Sequence, residues 1–225
     1  MKRYDSIDNV KYDKTLMGEE VWAFNKLDGQ NFGVKYSPKN KEFTDYTSRK
    51  CNVDETHPQF GEAVKYFTNH YSEKLKEIIS ENSKKNGIFK GIEEITFFFE
   101  WYGENSFAGF HKEGDELKLA LIDVFMKKKG YIEPKEFYEL FGNEETILTP
   151  EVIYKGKLTQ DFIDSINNND WTQEDCQYPN VKEGVVIRRS TRMKGQKMPK
   201  IKTKTKWWLN KLHENFTEEE CKKLE

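Results

Sequence analysis

Apolar residues recur along this chain with two different spacings. Between residues 60 and 80, Val64, Phe67, Tyr71, Leu75, Ile78 and Ile79 return every three or four positions, with lysines and glutamates between them. That period predicts one amphipathic helix. Elsewhere the apolar positions run together. Ile95-Thr96-Phe97-Phe98-Phe99, within 92–102, and a second run over 117–125 read as central strands buried on both faces. Two shorter runs, Val21-Trp22-Ala23-Phe24 and Val34-Lys35-Tyr36, flank Lys26-Leu27-Asp28-Gly29-Gln30-Asn31-Phe32-Gly33. Asp-Gly between strand-like residues predicts a hairpin turn. Further strands are expected at 151–154, 181–189 and 200–206, and helices at 134–141 and 158–166. Pro134 suits a first helical turn, and Thr217 with Glu220 reads as a capping box on a last helix. Residues 1–20 are polar and are expected to wrap the surface. Strands and helices mix without strict alternation, which predicts an α+β fold with mainly antiparallel sheets.

The chain's 225 residues suit one large domain or two small ones. Lysine and arginine number 37 against 39 acids, so overall charge gives no sign of a nucleic-acid partner. Cys51, Cys176 and Cys221 are odd in number, far apart and form no CxxC pair, so neither a disulfide framework nor a structural zinc site is suggested, and a reducing, cytosolic setting is the natural reading. Residues 1–13 lack the apolar core of a signal peptide, and no stretch approaches a membrane span. His57, His70, His111 and His213 show no metal-ligand spacing. Several glycines fall within 103–114, but no Walker or GxGxxG pattern occurs, so P-loop and Rossmann chemistry are disfavoured.

Charge is nevertheless uneven. Between 182 and 206 stand Lys182, Arg188, Arg189, Arg192, Lys194, Lys197, Lys200, Lys202, Lys204 and Lys206, with Glu183 as the one acid. The plain reading is a solvated face; the functional one is a phosphate-binding surface. Strand alternation places Lys200, Lys202, Lys204 and Lys206 on one face. Their repulsion favours a bound anion there. A lysine is a nucleophile only when neutral, and its ordinary pKa of about 10.4 leaves a trace of that form at pH 7. A nucleophilic Lys26 therefore predicts nearby cations or desolvation that lower its pKa. Glu100 ends one apolar strand and Glu183 opens another. Either could hold a ribose or a divalent metal, or simply face water. Asp123, inside Leu121-Ile122-Asp123-Val124-Phe125, is a core carboxylate or an ion-pair partner.

Taken in order, six motifs resemble the signature series of the covalent nucleotidyltransferases, the ATP-dependent DNA and RNA ligases and mRNA capping guanylyltransferases. They are Lys26-x-Asp28-Gly29, Ser48-Arg49-Lys50, Phe99-Glu100-x-x-Gly103, Leu121-Ile122-Asp123-Val124, Glu183-Gly184-x-Val186 and Lys202-x-Lys204. Lys26-x-x-Gly29-x-Asn31-Phe32 and Ile201-Lys202-x-Lys204 look most like the nick-sealing RNA ligases of bacteriophage type. The resemblance implies a nucleotidyltransferase (ATP-grasp-like ligase adenylation) domain, with the nucleotide between two mainly antiparallel sheets with flanking helices.

It also implies roles. Lys26 would attack the α-phosphate of ATP and form lysyl-AMP, with Asp28 and Gly29 beside it. Glu100 would bind the ribose, and Asn31 and Arg49 the nucleotide and phosphates. Ile122 would pack near adenine, where the phage enzymes usually place an aromatic residue. Glu183, with Asp28, would hold Mg2+ or Mn2+, and Lys202 and Lys204 would bind the α-phosphate and orient the leaving group. AMP would pass to a 5′-phosphate that a 3′-hydroxyl then attacks. The expected partner is nucleic acid, as RNA ends, a nicked duplex or an RNA/DNA hybrid. The expected setting is the cytoplasm of a bacterial or phage-infected cell. Only 21 residues follow Lys204, too few for an appended domain. The expectation is thus a monomer whose residues 1–225 form a single adenylyltransferase domain, without a separate OB-fold or C-terminal module and with Trp207-Trp208 capping the core. A DNA ligase, a GTP-using capping enzyme and a non-catalytic nucleic-acid-binding module are the alternatives.

Overall fold

The computed structural model describes residues 1–103, 114–193 and 198–224. In chain order the strands are β1 (Asp8–Asn9), β2 (Glu20–Lys26), β3 (Gln30–Ser37), β4 (Glu42–Ser48), β5 (Asn52–Val53), β6 (Ile95–Tyr102), β7 (Lys118–Met126), β8 (Gly130–Tyr131), β9 (Val152–Lys157), β10 (Gly184–Arg189) and β11 (Lys200–Lys204). The helices are α1 (Gly61–Tyr66), α2 (Ser72–Glu81), α3 (Pro134–Phe141), α4 (Gln160–Asn167), α5 (Lys206–Asn215) and α6 (Glu218–Leu224). Among the described residues the strands make a five-stranded sheet, β1-β11-β10-β2-β9, and a six-stranded sheet, β5-β4-β3-β6-β7-β8. Every neighbouring pair is antiparallel except β1 with β11. The expected α+β fold with mainly antiparallel sheets is therefore present. No described helix is long and apolar enough to cross a membrane.

The Asp28-Gly29 expectation is corrected. β2 lies between β10 and β9, whereas β3 lies between β4 and β6. Leu27-Asp28-Gly29 is a crossover from one sheet to the other, not a hairpin. Glycine is needed at 29 because a Cβ there would stand 2.5 Å from the Trp101 carbonyl oxygen and 2.6 Å from Tyr102 Cβ. The crossover thereby presses against β6, next to Glu100.

The periodic 60–80 segment is helical but not uniform. Between α1 and α2 it widens into a π-helical turn, Phe67–Tyr71. That turn resets the helix face, so Phe67 and Tyr71 are both buried against the six-stranded sheet. Tyr71 donates to the Leu119 carbonyl at 2.6 Å and accepts from the Leu148 N–H at 3.3 Å. On the other sheet, Phe162, Ile163 and Ile166 of α4 pack on Val21, Ala23, Val185, Ile187 and Ile201. Residues 1–20 do more than wrap the surface: β1 pairs with β11, and Val10 and Leu16 enter that same core. The expected strand at 200–206 stops at Lys204. Thr205 then accepts the Trp208 N–H and starts α5.

Candidate active site

Cross-strand register assembles the site. Lys26, Gly184 and Lys204 stand side by side across β2, β10 and β11. Two residues along, Phe24, Val186 and Lys202 form the next row on the same face, and Trp22, Arg188 and Lys200 a third. Gly184 has φ +153°, and a Cβ there would lie 2.1 Å from the Thr203 carbonyl oxygen. A side-chain-free centre in the first row lets two lysines converge on the preceding residue, Glu183. From the other sheet, Glu100 pairs with Asn31 across β6 and β3.

Glu183 is buried, and its two oxygens are shared. Oε2 is 2.8 Å from Lys26 Nζ, and Oε1 is 3.2 Å from Lys204 Nζ. Lys204 Nζ also sits 3.6 Å from the centre of the Trp208 ring, whose Nε1–H donates to Asp28 Oδ2 at 3.4 Å. The Gly29 N–H donates to the Glu100 carboxylate, which also feels the charges of Lys26, Glu183 and Arg49. Three carboxylates and three lysines thus meet where the sheets face each other.

The electrostatics are those of a strained cluster. Burial, followed by repulsion from Glu183, pushes Asp28 up to about 7. Burial, then Glu183, does the same to Glu100, against the pull of Lys26. Lys204 is pushed down to about 8 by burial, helped by Lys26 and Lys202 and opposed by Glu183. Lys202 is lowered by burial and by the charge of Lys26. Lys26 departs from the sequence-based expectation. Burial works against its charge, but Glu183, Glu100 and Asp28 outweigh burial and leave its pKa raised. In the free protein the lysine is a held ammonium, because an acid lies closer to it than any cation does.

The structure brings most of the expected site residues together. Lys26, Asp28, Gly29, Glu100, Glu183, Lys202 and Lys204 converge. Arg49 is exposed just past β4, at the rim, and its charge reaches Glu100 and Lys202. Asn31 donates its amide to the Phe99 carbonyl at 3.3 Å. Ile122 lies deeper, in a cluster with Phe98, Tyr131, Met198 and Tyr4. Beside the lysine is a cavity of about 160 Å³, lined by Lys26, Leu27, Asp28, Tyr102, Asn180 and Glu183 among others. A larger open depression of about 360 Å³ lies at the far end of β3, around Lys35 and Glu94, away from this chemistry.

The 182–206 block is not one phosphate surface. Arg188 pairs with Asp123 at 3.0 Å, Arg189 with Glu19 at 2.8 Å, and Arg192 with Glu133 and Glu136 at 3.2 Å. Lys200 pairs with Asp123 at 2.8 Å. Lys206 starts α5 and donates to Asn168, off the strand face expected for it. Lys194 and Lys197 lie outside the described residues, as do His111 and most of the glycine-containing stretch 103–114. Trp208 is the site residue that pattern reading did not assign. The sequence reading has Trp207-Trp208 only as a cap on the core; the reach of Trp208 to Asp28 crosses 180 residues.

Comparisons with known proteins bear on the fold and the family. An RNA ligase of Naegleria gruberi solved with AMP and Mn superposes with a TM-score of 0.63 at 15% identity, over 94% of this chain and 58% of that one. The same ligase with ATP and Mn gives 0.63 at 14% identity, over 96% and 58%. With PPi it gives 0.59 at 17%, over 96% and 59%. At these identities the likeness is one of fold, and the chain spans under three-fifths of those proteins' length. No curated protein sequence matches the chain. The family model described as RNA ligase matches residues 19–204, from just before β2 through the last residue of β11, and the chain belongs to that family.

Proposed function

We propose that this chain carries the nucleotide-transfer step of an ATP-dependent RNA ligase, with Lys26 as the nucleophile. The observation that carries the reading is the first row of the five-stranded sheet: Lys26 and Lys204 flanking Gly184 and sharing the buried Glu183. Neutral Lys26 Nζ attacks the α-phosphorus of ATP. A P–N bond forms, the bond to pyrophosphate breaks, and lysyl-AMP results. AMP then passes to the 5′-phosphate of an RNA strand, and a 3′-hydroxyl displaces it to seal the ends. Lys202 and Lys204 neutralise the phosphates, Glu100 takes the ribose, Arg49 and Asn31 position phosphate and nucleotide, and Ile122 borders the base. Phosphoryl transfer needs the nucleophile positioned among cations that neutralise the phosphates, and Lys202 and Lys204 stand beside Lys26 for that role. The proton that must leave is the one Glu183 holds in place.

The residues fit a divalent cation. Two of the three carboxylates are pushed up to about 7, first by burial and then by Glu183, a strain that a bound cation would relieve. Among the described residues no three His, Cys, Asp or Glu side chains could ligate an ion together. Glu183 with Asp28 would hold Mg2+ or Mn2+ through one or two carboxylates, the ion keeping much of its water. Such an ion supplies charge neutralisation at the transferring phosphoryl group. We read residues 1–225 as one catalytic unit acting as a monomer on RNA ends or nicks. The narrower likeness to phage nick-sealing enzymes rests on motif spelling.

The test is sealing of a labelled nicked RNA duplex with ATP or GTP and magnesium. Sealing with ATP is the expected result. Sealing of DNA nicks alone, or a GMP adduct alone, would move the assignment to a DNA ligase or a capping enzyme. Binding without any adduct would leave a non-catalytic module.

A further inference from the structure

At the end of the six-stranded sheet away from Glu100, two loops bring six lysines together. The loop after α2 carries Lys84, Lys85 and Lys90, and the turn between β7 and β8 is Lys127-Lys128-Lys129. The two are fastened to each other: Lys129 Nζ donates to the Ile88 carbonyl at 3.1 Å, and the Lys127 N–H to the Glu94 carbonyl at 3.0 Å. The acids within these segments are Glu93 and Glu94. Glu93 pairs with Lys128 at 2.7 Å and also feels Lys127, but six lysines still face two acids. Lys84, Lys85, Lys90, Lys127 and Lys128 are exposed.

Two features argue against an ordinary solvated face. The carbonyl end of α2 would attract Lys84 and Lys85, but it gives no reason for three successive lysines on a neighbouring turn. And Lys128 sits at φ 68°, a left-handed conformation that a glycine or asparagine adopts more readily. A lysine stands there all the same, between two others.

We propose that this lysine knuckle is a second RNA contact that grips the phosphate backbone away from the reacting end. The proposal rests on the ligase reading in taking RNA as the partner. Geometry favours it. β6 leaves the knuckle at Ile95 and reaches Glu100 five residues later, about 17 Å at 3.3–3.4 Å per residue. At a duplex rise on the order of 3.4 Å per base pair along the axis, the DNA value, that spans about five base pairs. The knuckle therefore holds flanking nucleic acid rather than the ends being joined.

The test uses Lys85→Gln/Lys90→Gln/Lys127→Gln, which removes exposed charge without reversing it. Binding of a fluorescent nicked RNA duplex is titrated from 50 to 200 mM KCl, alongside lysyl-AMP formation by intact mass. The triple variant should bind about tenfold more weakly at low salt. Its log K against log salt slope should be shallower by about 2 to 3, one lost phosphate contact per lysine, with adduct formation unchanged. Unchanged affinity and slope would overturn the proposal, as would weakening seen only when the three are changed to glutamate. The two readings separate cleanly. An adduct with an unchanged slope sinks the knuckle alone, whereas a knuckle-dependent slope without any adduct sinks the ligase reading alone.

Discussion

Two ion clusters join the sheets, and they are built differently. In the deep one, Asp123 of β7 is fully buried between Arg188 at 3.0 Å and Lys200 at 2.8 Å. Arg188 also donates to the Ile132 carbonyl at 2.6 Å, and Lys200 Nζ lies 3.5 Å from the Tyr131 ring centre and 4.2 Å from that of Tyr4. The outer cluster reverses the balance: Glu183, Asp28 and Glu100 crowd around Lys26 and Lys204, and two of the acids are pushed up to about 7. In the deep cluster protein groups surround the single acid. The outer cluster sets three acids against three lysines, leaves two of the acids strained, and opens at Lys26 toward a cavity. Perturbed ionisation clusters at functional sites; burial also pushes Lys200 of the deep cluster down to about 8, so the cavity beside Lys26 is what sets the outer cluster apart.

Breaking the deep cluster should have the largest effect on folding. Asp123→Ala leaves Arg188 and Lys200 buried together without their acid, and such a change costs about 3–5 kcal/mol. Urea unfolding at pH 7 reads it directly. A loss below about 1 kcal/mol would mean the deep cluster does not tie the sheets.

The outer cluster should instead show itself in pH dependence. Glu100 is raised from the ordinary carboxylate range to about 7. Between about pH 4 and pH 7 the folded protein then holds a proton that the unfolded chain has released. Its contribution to stability is full below about pH 4 and is lost as pH rises through 7. Asp28 adds a loss in the same direction. Thermal unfolding of the free protein should therefore show a falling Tm from pH 5 to pH 8. Glu100→Gln, which mimics the protonated form, should remove about half of that fall. Parallel curves for the two proteins would contradict the assignment of strain to this site.

How much of this was legible in the sequence divides along the same line. Lys26, Glu100, Glu183, Lys202 and Lys204 could be found in order because motif spacing is local, and strand alternation correctly put Lys200, Lys202 and Lys204 on one face. Asp28-Gly29 was misread because the residues that favour a hairpin turn equally serve a crossover between sheets. Only pairing with β10 and β4 tells the two apart. The 182–206 run looked like a free basic surface because the acids that consume it, Asp123, Glu19, Glu133 and Glu136, come from distant parts of the chain. The state of Lys26 was the least legible. Its protonation depends on which charge stands 2.8 Å away, and only the fold decides that. Trp208 lay hidden for the same reason, since its contact with Asp28 spans 180 residues.

The most direct measurement is the intact mass of wild type and Lys26→Ala after incubation with ATP and magnesium. The account predicts a gain of one AMP on the wild type, lost on acid treatment as a phosphoramidate should be, and no gain on the variant. An adduct that persists in Lys26→Ala, or none on the wild type with either ATP or GTP, would contradict it.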